Sequence, residues 1–240
     1  AASLSNATPT LTGYTFKGWA TSENGPVAYA AGGQYLVDSD ITLYAVWQID
    51  TFTVTVSSGA GYSTVPSGTY TVEYGKPFTV TINVDRQYAA VKPTVKDNGT
   101  PVEVTGNPND IGAASYTYTI DSVTEGHTID ITVTQNEVHQ VLFYEALADK
   151  DGNNPQDKAA PFASQLVEHG YYASMPSAQE NEGYKFDHWE RFDPAANKWS
   201  SDLAETFAKP ILAETKFRAV YKQIVPVITV DALSGDGWEL

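Results

Sequence analysis

The chain has 240 residues, 18% of them charged and 12% aromatic, with no cysteine and a formal net charge of −15 at pH 7. These values exclude a disordered chain, a disulfide-stapled domain and general binding to nucleic acid or anionic polymers, which needs clustered Lys and Arg. Thr, Val and Tyr are abundant, so β structure is expected throughout, and no run of 18 apolar residues is present to form a membrane-spanning helix.

The first residues, AASLSNATPT, lack the basic end and apolar stretch of a signal peptide. Next comes GYTFKGWATSENG (residues 13–25), with Tyr14, Phe16 and Trp19 inside six positions. Alternation puts Tyr14 and Phe16 on one strand face. Trp19 falls out of phase unless Gly18 permits a bulge. The segment VDSDITLYAVW (residues 37–47) then ends in Leu43, Ala45 and Trp47, an alternating apolar set.

That final strand recurs. VTEGHTIDITV starts at Val123 and ILAETKFRAVY at Ile211, so the offsets are 123 − 37 = 86 and 211 − 123 = 88. Ile129 and Ile131, then Phe217, Ala219 and Tyr221, repeat the alternation. A second element, V-E-x-G, occurs at residues 72–75 and 167–170. The aromatic strand returns as GYKFDHW with Tyr184, Phe186 and Trp189, and in the middle copy RQYAAVKP (residues 86–93) stands in its place. The period is too long for a solenoid repeat of about 20–50 residues. Each unit should therefore hold its own core, like beads on a string joined by the short junctions QIDTF and QNEVHQ. Modules are expected at residues 1–48, 49–137 and 138–222, with 223–240 a tail or the start of a further module. The first should be incomplete, leaving a sheet edge unpaired.

Chemistry-bearing patterns are few. DKDGNNPQD (residues 149–157) is rich in oxygen ligands, with Asp149, Asp151 and Asp157 foremost, but an EF-hand loop would need Gly and Glu where Asn154 and Ala160 stand. A solvated turn is the expectation. His127, His139, His169 and His188 have no zinc spacing, and no nucleophile elbow or phosphate loop is present. No catalytic, cofactor or metal residue is therefore assigned. Three aromatics outside the core pattern, Tyr171, Tyr172 and Trp199, are candidate ligand contacts. Trp199 lies in NKWSSDLAETFAKP, read as a short helix capped by Ser201 or Asp202, with Leu203 and Phe207 facing the sheet.

GYTFKGW followed by TLYAVW resembles the internalin-type B repeat, also called the Listeria–Bacteroides repeat; Gly13, Tyr14, Phe16, Gly18, Trp19, Thr42, Leu43, Tyr44, Ala45 and Trp47 fit its pattern. Residues 138–222 resemble a diverged copy with His188 at the second glycine and a long insert at 145–164, and residues 49–137 a divergent B-repeat type. The resemblance implies tandem ubiquitin-like β-grasp modules, hence a β-rich α+β, mainly β chain. It also implies an extracellular place at a bacterial cell surface or wall, and a spacer or adhesion role without enzymatic activity. The motif aromatics then read mainly as core, since each buries about 150–250 Å² where no disulfide can staple a small domain. Spacer, adhesion module for a host protein or glycan, and accessory domain of a secreted enzyme are the three classes left open. The chain is expected to be monomeric, with residues 1–48 its least stable part.

Overall fold

The computed structural model describes residues 2–4, 8–36, 39–202, 206–226 and 228. The fold is mainly β. Among the described residues the one named helical element is a 3-10 turn at Arg86–Tyr88. Two compact units divide the chain, residues 1–135 and 136–240.

Unit 1 begins with β1 (Ala2–Ser3), β2 (Tyr14–Ala20), β3 (Gln34–Tyr35) and β4 (Tyr44–Ile49). β1 pairs with β3, and β2 pairs antiparallel with β4. Strands β5 (Thr51–Val56), β6 (Tyr62–Val65), β7 (Gly68–Glu73), β8 (Phe78–Val84), β9 (Thr94–Asp97), β10 (Thr100–Val102), β11 (Ala114–Ile120) and β12 (His127–Thr132) follow. They make two sheets, ordered β10-β9-β12-β5-β7 and β11-β8-β6. Alternation on β8 (Phe78, Val80, Ile82, Val84) and on β5 and β12 (Val54, Val56, Ile129, Ile131) fills one core between the two sheets, with Tyr116 fully buried in it.

Unit 2 contains β13 (Val138–Ala148), β14 (Gln156–Asp157), β15 (Ala163–Glu168), β16 (Tyr184–Asp193), β17 (Lys198–Ser200) and β18 (Thr215–Gln223). The order is β14-β13-β18-β16-β17, with β15 pairing the first half of β13. Phe217, fully buried, stacks between Phe143 at 5.6 Å and Phe207 at 4.5 Å.

The repeated final strands hold one topological position. β12 runs parallel to β5 and antiparallel to β9, and β18 runs parallel to β13 and antiparallel to β16. Ile131 faces Val95, Ala219 faces Trp189, and Ala45 faces Trp19, three equivalent pairs. This corrects one expectation. The aromatic strand of the middle copy is replaced by β9, with Val95 at the tryptophan position. Within residues 86–93 the chain instead makes the 3-10 turn, and Val91 is exposed. Val37, which begins the final-strand segment of the first copy, lies outside the described residues.

Two more expectations change. Leu43 and Ala45 are half-buried, whereas Ile129, Ile131, Phe217 and Ala219 are buried. The reason is the neighbour: β12 and β18 each lie between two strands, and β4 pairs with β2 alone among the described residues. Tyr14 is also exposed, at the first position of β2.

Candidate functional site

The aromatic motif has the same geometry twice. On β2 the register shifts between Phe16 and Gly18, and on β16 between Phe186 and His188. This bulge brings Trp19 and Trp189 onto the phenylalanine face. Phe16 meets Trp19 at 5.1 Å and Trp47 at 5.5 Å; Phe186 meets Trp189 at 6.0 Å and Tyr221 at 5.9 Å. Gly18 sits at φ 144°, where a Cβ would lie 2.6 Å from the Tyr29 carbonyl oxygen, so the bulge needs glycine there. Trp189, Ala219 and Tyr221 are buried and Tyr184 is half-buried, while Phe186 lies exposed at the rim. In unit 1, Phe16, Trp19 and Trp47 are half-buried.

Trp199 corrects the helix reading. It lies on β17, paired through Phe192 in a hairpin whose turn holds Asn197 at φ 50°. The Arg218 guanidinium covers its ring at 4.5 Å. Arg218 also donates from Nε to Glu190 at 2.5 Å and from NH1 to Asp157 at 2.7 Å. The buried Arg218 side chain is thus paired twice and stacked, which its burial requires. Asp157 comes from the long insert, so this cluster pins the insert to the sheet face opposite the Phe217 core. Lys222 reaches Asp187 at 2.9 Å on the same face, and Gly152 of the insert packs against the Lys222 stem. Thr206 is helical and Phe207 faces the core as expected; Leu203 lies outside the described residues. Tyr171 packs on the unit 2 core, which leaves Tyr172 as the exposed candidate of the three.

The insert forms a turn. Asp149 Oδ1 accepts from the amides of Asp151 at 2.9 Å and Asn153 at 2.8 Å, leaving it engaged in its own loop. Among the described residues no three His, Cys, Asp or Glu side chains are grouped to hold a metal. His139 Nε2 contacts His169 Nδ1 at 2.9 Å, and burial together with that neighbour lowers the His139 pKa. His127 bonds Asp97 at 2.8 Å, and Tyr118 donates to the same carboxylate at 2.8 Å. Burial, that bond and the carboxylate charge push the Tyr118 phenol up to about 12. A groove of about 410 Å³ runs along the β16–β17 hairpin beside Pro210 and Leu212, and neither His nor Cys lines it. Asp193 in that groove is occupied by the amides of Ala195 and Ala196.

A further polar arrangement lies at Asp50. Its amide donates to the Gly13 carbonyl at 2.9 Å, and its own carbonyl accepts from the Tyr74 amide at 2.8 Å. In a strand one residue's N–H and C=O point the same way, so β4 and β5 are one ribbon passing through Asp50. β2 and β7 abut on one side of that ribbon. The Asp50 carboxylate adds a bond from the Thr15 hydroxyl at 2.5 Å. The Tyr74 ring lies against Gly13, whose added Cβ would come within 2.1 Å of it.

No curated protein and no solved structure matches the chain. Residues 1–46, which carry the first aromatic motif, match the family model of the Listeria-Bacteroides repeat domain.

Proposed function

We propose that these residues belong to a non-enzymatic extracellular repeat region of a bacterial surface protein, where they act as a spacer or stalk. The Asp50 junction is the observation that carries this reading. A flexible tether would leave two modules free to swing. Here a single ribbon runs from one into the next, with strands abutting on its flank and an aromatic ring seated on a glycine. Such a joint transmits orientation and length, which is what a spacer requires. The family match of residues 1–46 supports the bacterial surface setting.

Adhesion to a host protein or glycan has less support, because Trp199 is covered by Arg218 and Tyr171 is packed inward. The absence of cysteine makes the test direct. Cysteines introduced at the exposed positions Lys17 and Lys96 can carry spin labels for pulsed distance measurement. A stiff junction gives one narrow distance distribution, and Gly13→Val broadens it by displacing Tyr74. A broad distribution in the otherwise unaltered chain would overturn the spacer reading.

A further inference from the structure

The residue x of each V-E-x-G turn holds the same place in both copies. The Tyr74 amide donates to the Asp50 carbonyl, and the His169 amide donates to the Glu137 carbonyl, each at 2.8 Å. Two residues after those acceptors stand Phe52 and His139, opposite Val72 and Val167 in the strand pairing. Each x side chain therefore meets its counterpart across an antiparallel ladder. Phe52 and Tyr74 have ring centroids 6.3 Å apart, and His139 and His169 have theirs 5.1 Å apart. A phenylalanine–tyrosine pair cannot take up a proton. The pair at the equivalent position in unit 2 is two imidazoles, which can.

His139 Nε2 and His169 Nδ1 stand 2.9 Å apart, a length at which one nitrogen must donate and the other accept. The contact therefore holds one proton. A neutral pair supplies it. So does a pair with one added proton, in which an imidazolium donates to an imidazole. With two added protons, N–H faces N–H and two positive charges touch, so the bond is lost. Both rings are half-buried, and water screens that repulsion incompletely. Val167, directly opposite His139 on β15, is apolar. Two carboxylates adjoin the pair. Glu137, two residues before His139, favours a proton there, and Glu168 neighbours His169 in the chain. Burial and the His169 ring outweigh Glu137, so the His139 pKa is lowered.

We infer that the His139–His169 pair is an acid-sensitive latch, which holds the V-E-x-G turn of unit 2 to the start of β13 at neutral pH and releases it when the pair takes up its second proton. The segment it controls is residues 167–171. Within it the Gly170 amide and the Tyr171 carbonyl grip the buried Ile211, so that grip loosens with the latch. The corresponding turn of unit 1 grips Val123 through Gly75 and Lys76 and is backed by Phe52 and Tyr74. It has no such proton to gain and stays shut. The response falls in the mildly acidic range, because a lowered histidine pKa costs stability as pH drops below the ordinary value of 6.5.

The test is amide hydrogen exchange on the full chain, read as protection relative to the unstructured rate so that the pH dependence of exchange itself cancels. Between pH 7 and pH 5 protection at His169, Gly170 and Ile211 should fall about tenfold or more, while Tyr74, Gly75 and Val123 keep theirs. His139→Phe combined with His169→Tyr copies the unit 1 pair into unit 2 and should abolish the fall. If that double variant does not fold, His139→Gln answers alone, since its amide can share the bond with His169 and takes up no proton. Constant protection in the unaltered chain would overturn the latch. So would a fall that persists in the variant, or an equal fall at both turns, which would be general weakening by acid.

Discussion

The Gly170 amide donates to the Ile211 carbonyl at 2.8 Å, and the Gly75 amide donates to the Val123 carbonyl at the same distance. The clamp is reciprocal in both copies: the Ile211 amide returns to Tyr171 and the Val123 amide to Lys76. Ile211 and Val123 are fully buried. Each V-E-x-G turn is thus the device that fastens the end of an edge strand to the residue that introduces the final strand. Glycine is needed because φ is 80° at Gly170 and 78° at Gly75.

Gly75 has open space around it, so substitution there tests backbone conformation alone. Gly75→Ala should destabilise unit 1 by about 1 kcal/mol, and Gly75→Asn by less, since asparagine tolerates the left-handed region. Denaturant melts of the three proteins check the order. Equal stabilities would show that the turn does not constrain the unit.

Phe217 is the stacked centre of unit 2, so Phe217→Ala should cost about 3–5 kcal/mol. The loss should fall on unit 2, because every residue of the core around Phe217 comes from residues 141–221. Calorimetry should show one transition moving down and the other in place. Two transitions shifting together would contradict separate units.

The repeat was legible because it is written in alternation. Ile129, Ile131, Phe217 and Ala219 are buried as their spacing requires, and the bulge that Trp19 needs is present at Gly18. What alternation cannot supply is the identity of the neighbouring strand. Leu43 and Ala45 have the same pattern and are half-buried for want of one. The β9 strand was hidden because Val95 replaces the tryptophan that marks its equivalents. The Arg218 cluster was hidden because Asp157, Glu190 and Arg218 are far apart in sequence and meet through sheet pairing. Trp199 was grouped with the short helix capped by Ser201 or Asp202; Asn197 in the left-handed region instead turns the chain into a hairpin that takes up Trp199 ahead of that cap.

Gly18 should be less replaceable than Gly75. Besides its φ of 144°, a Cβ there would meet the Tyr29 carbonyl oxygen at 2.6 Å, and backbone cannot yield as a flexible side chain can. Gly18→Ala should cost about 2–3 kcal/mol through strain and lost pairing. Near-ultraviolet circular dichroism should lose signal from the Phe16–Trp19–Trp47 group. An unchanged spectrum with unchanged stability would mean that the bulge tolerates a side chain and that Trp19 does not depend on it.

Acid should weaken unit 2 through Glu145. Its carboxyl is buried, which by itself pushes the pKa up, but Lys158 at 2.7 Å and Asn181 at 2.9 Å together outweigh that and hold it below the ordinary value of 4.5. A group whose folded pKa is depressed adds stability that is present in full above its unfolded pKa and is lost as pH falls through the folded value. The window for this group therefore lies below about pH 4.5. Lys158 bridges Glu145 to Asn181, so the trio ties the insert to the loop before β16. Glu145→Gln keeps the shape and removes the titration. It should be less stable than the unaltered chain at pH 7, and its unit 2 melting temperature should fall less steeply between pH 5 and pH 3. His139, whose pKa is lowered too, contributes its own loss at higher pH, starting below its ordinary value of 6.5, and that part should survive in the variant. Parallel pH profiles for the two proteins below pH 4.5 would mean that Glu145 carries none of the acid sensitivity.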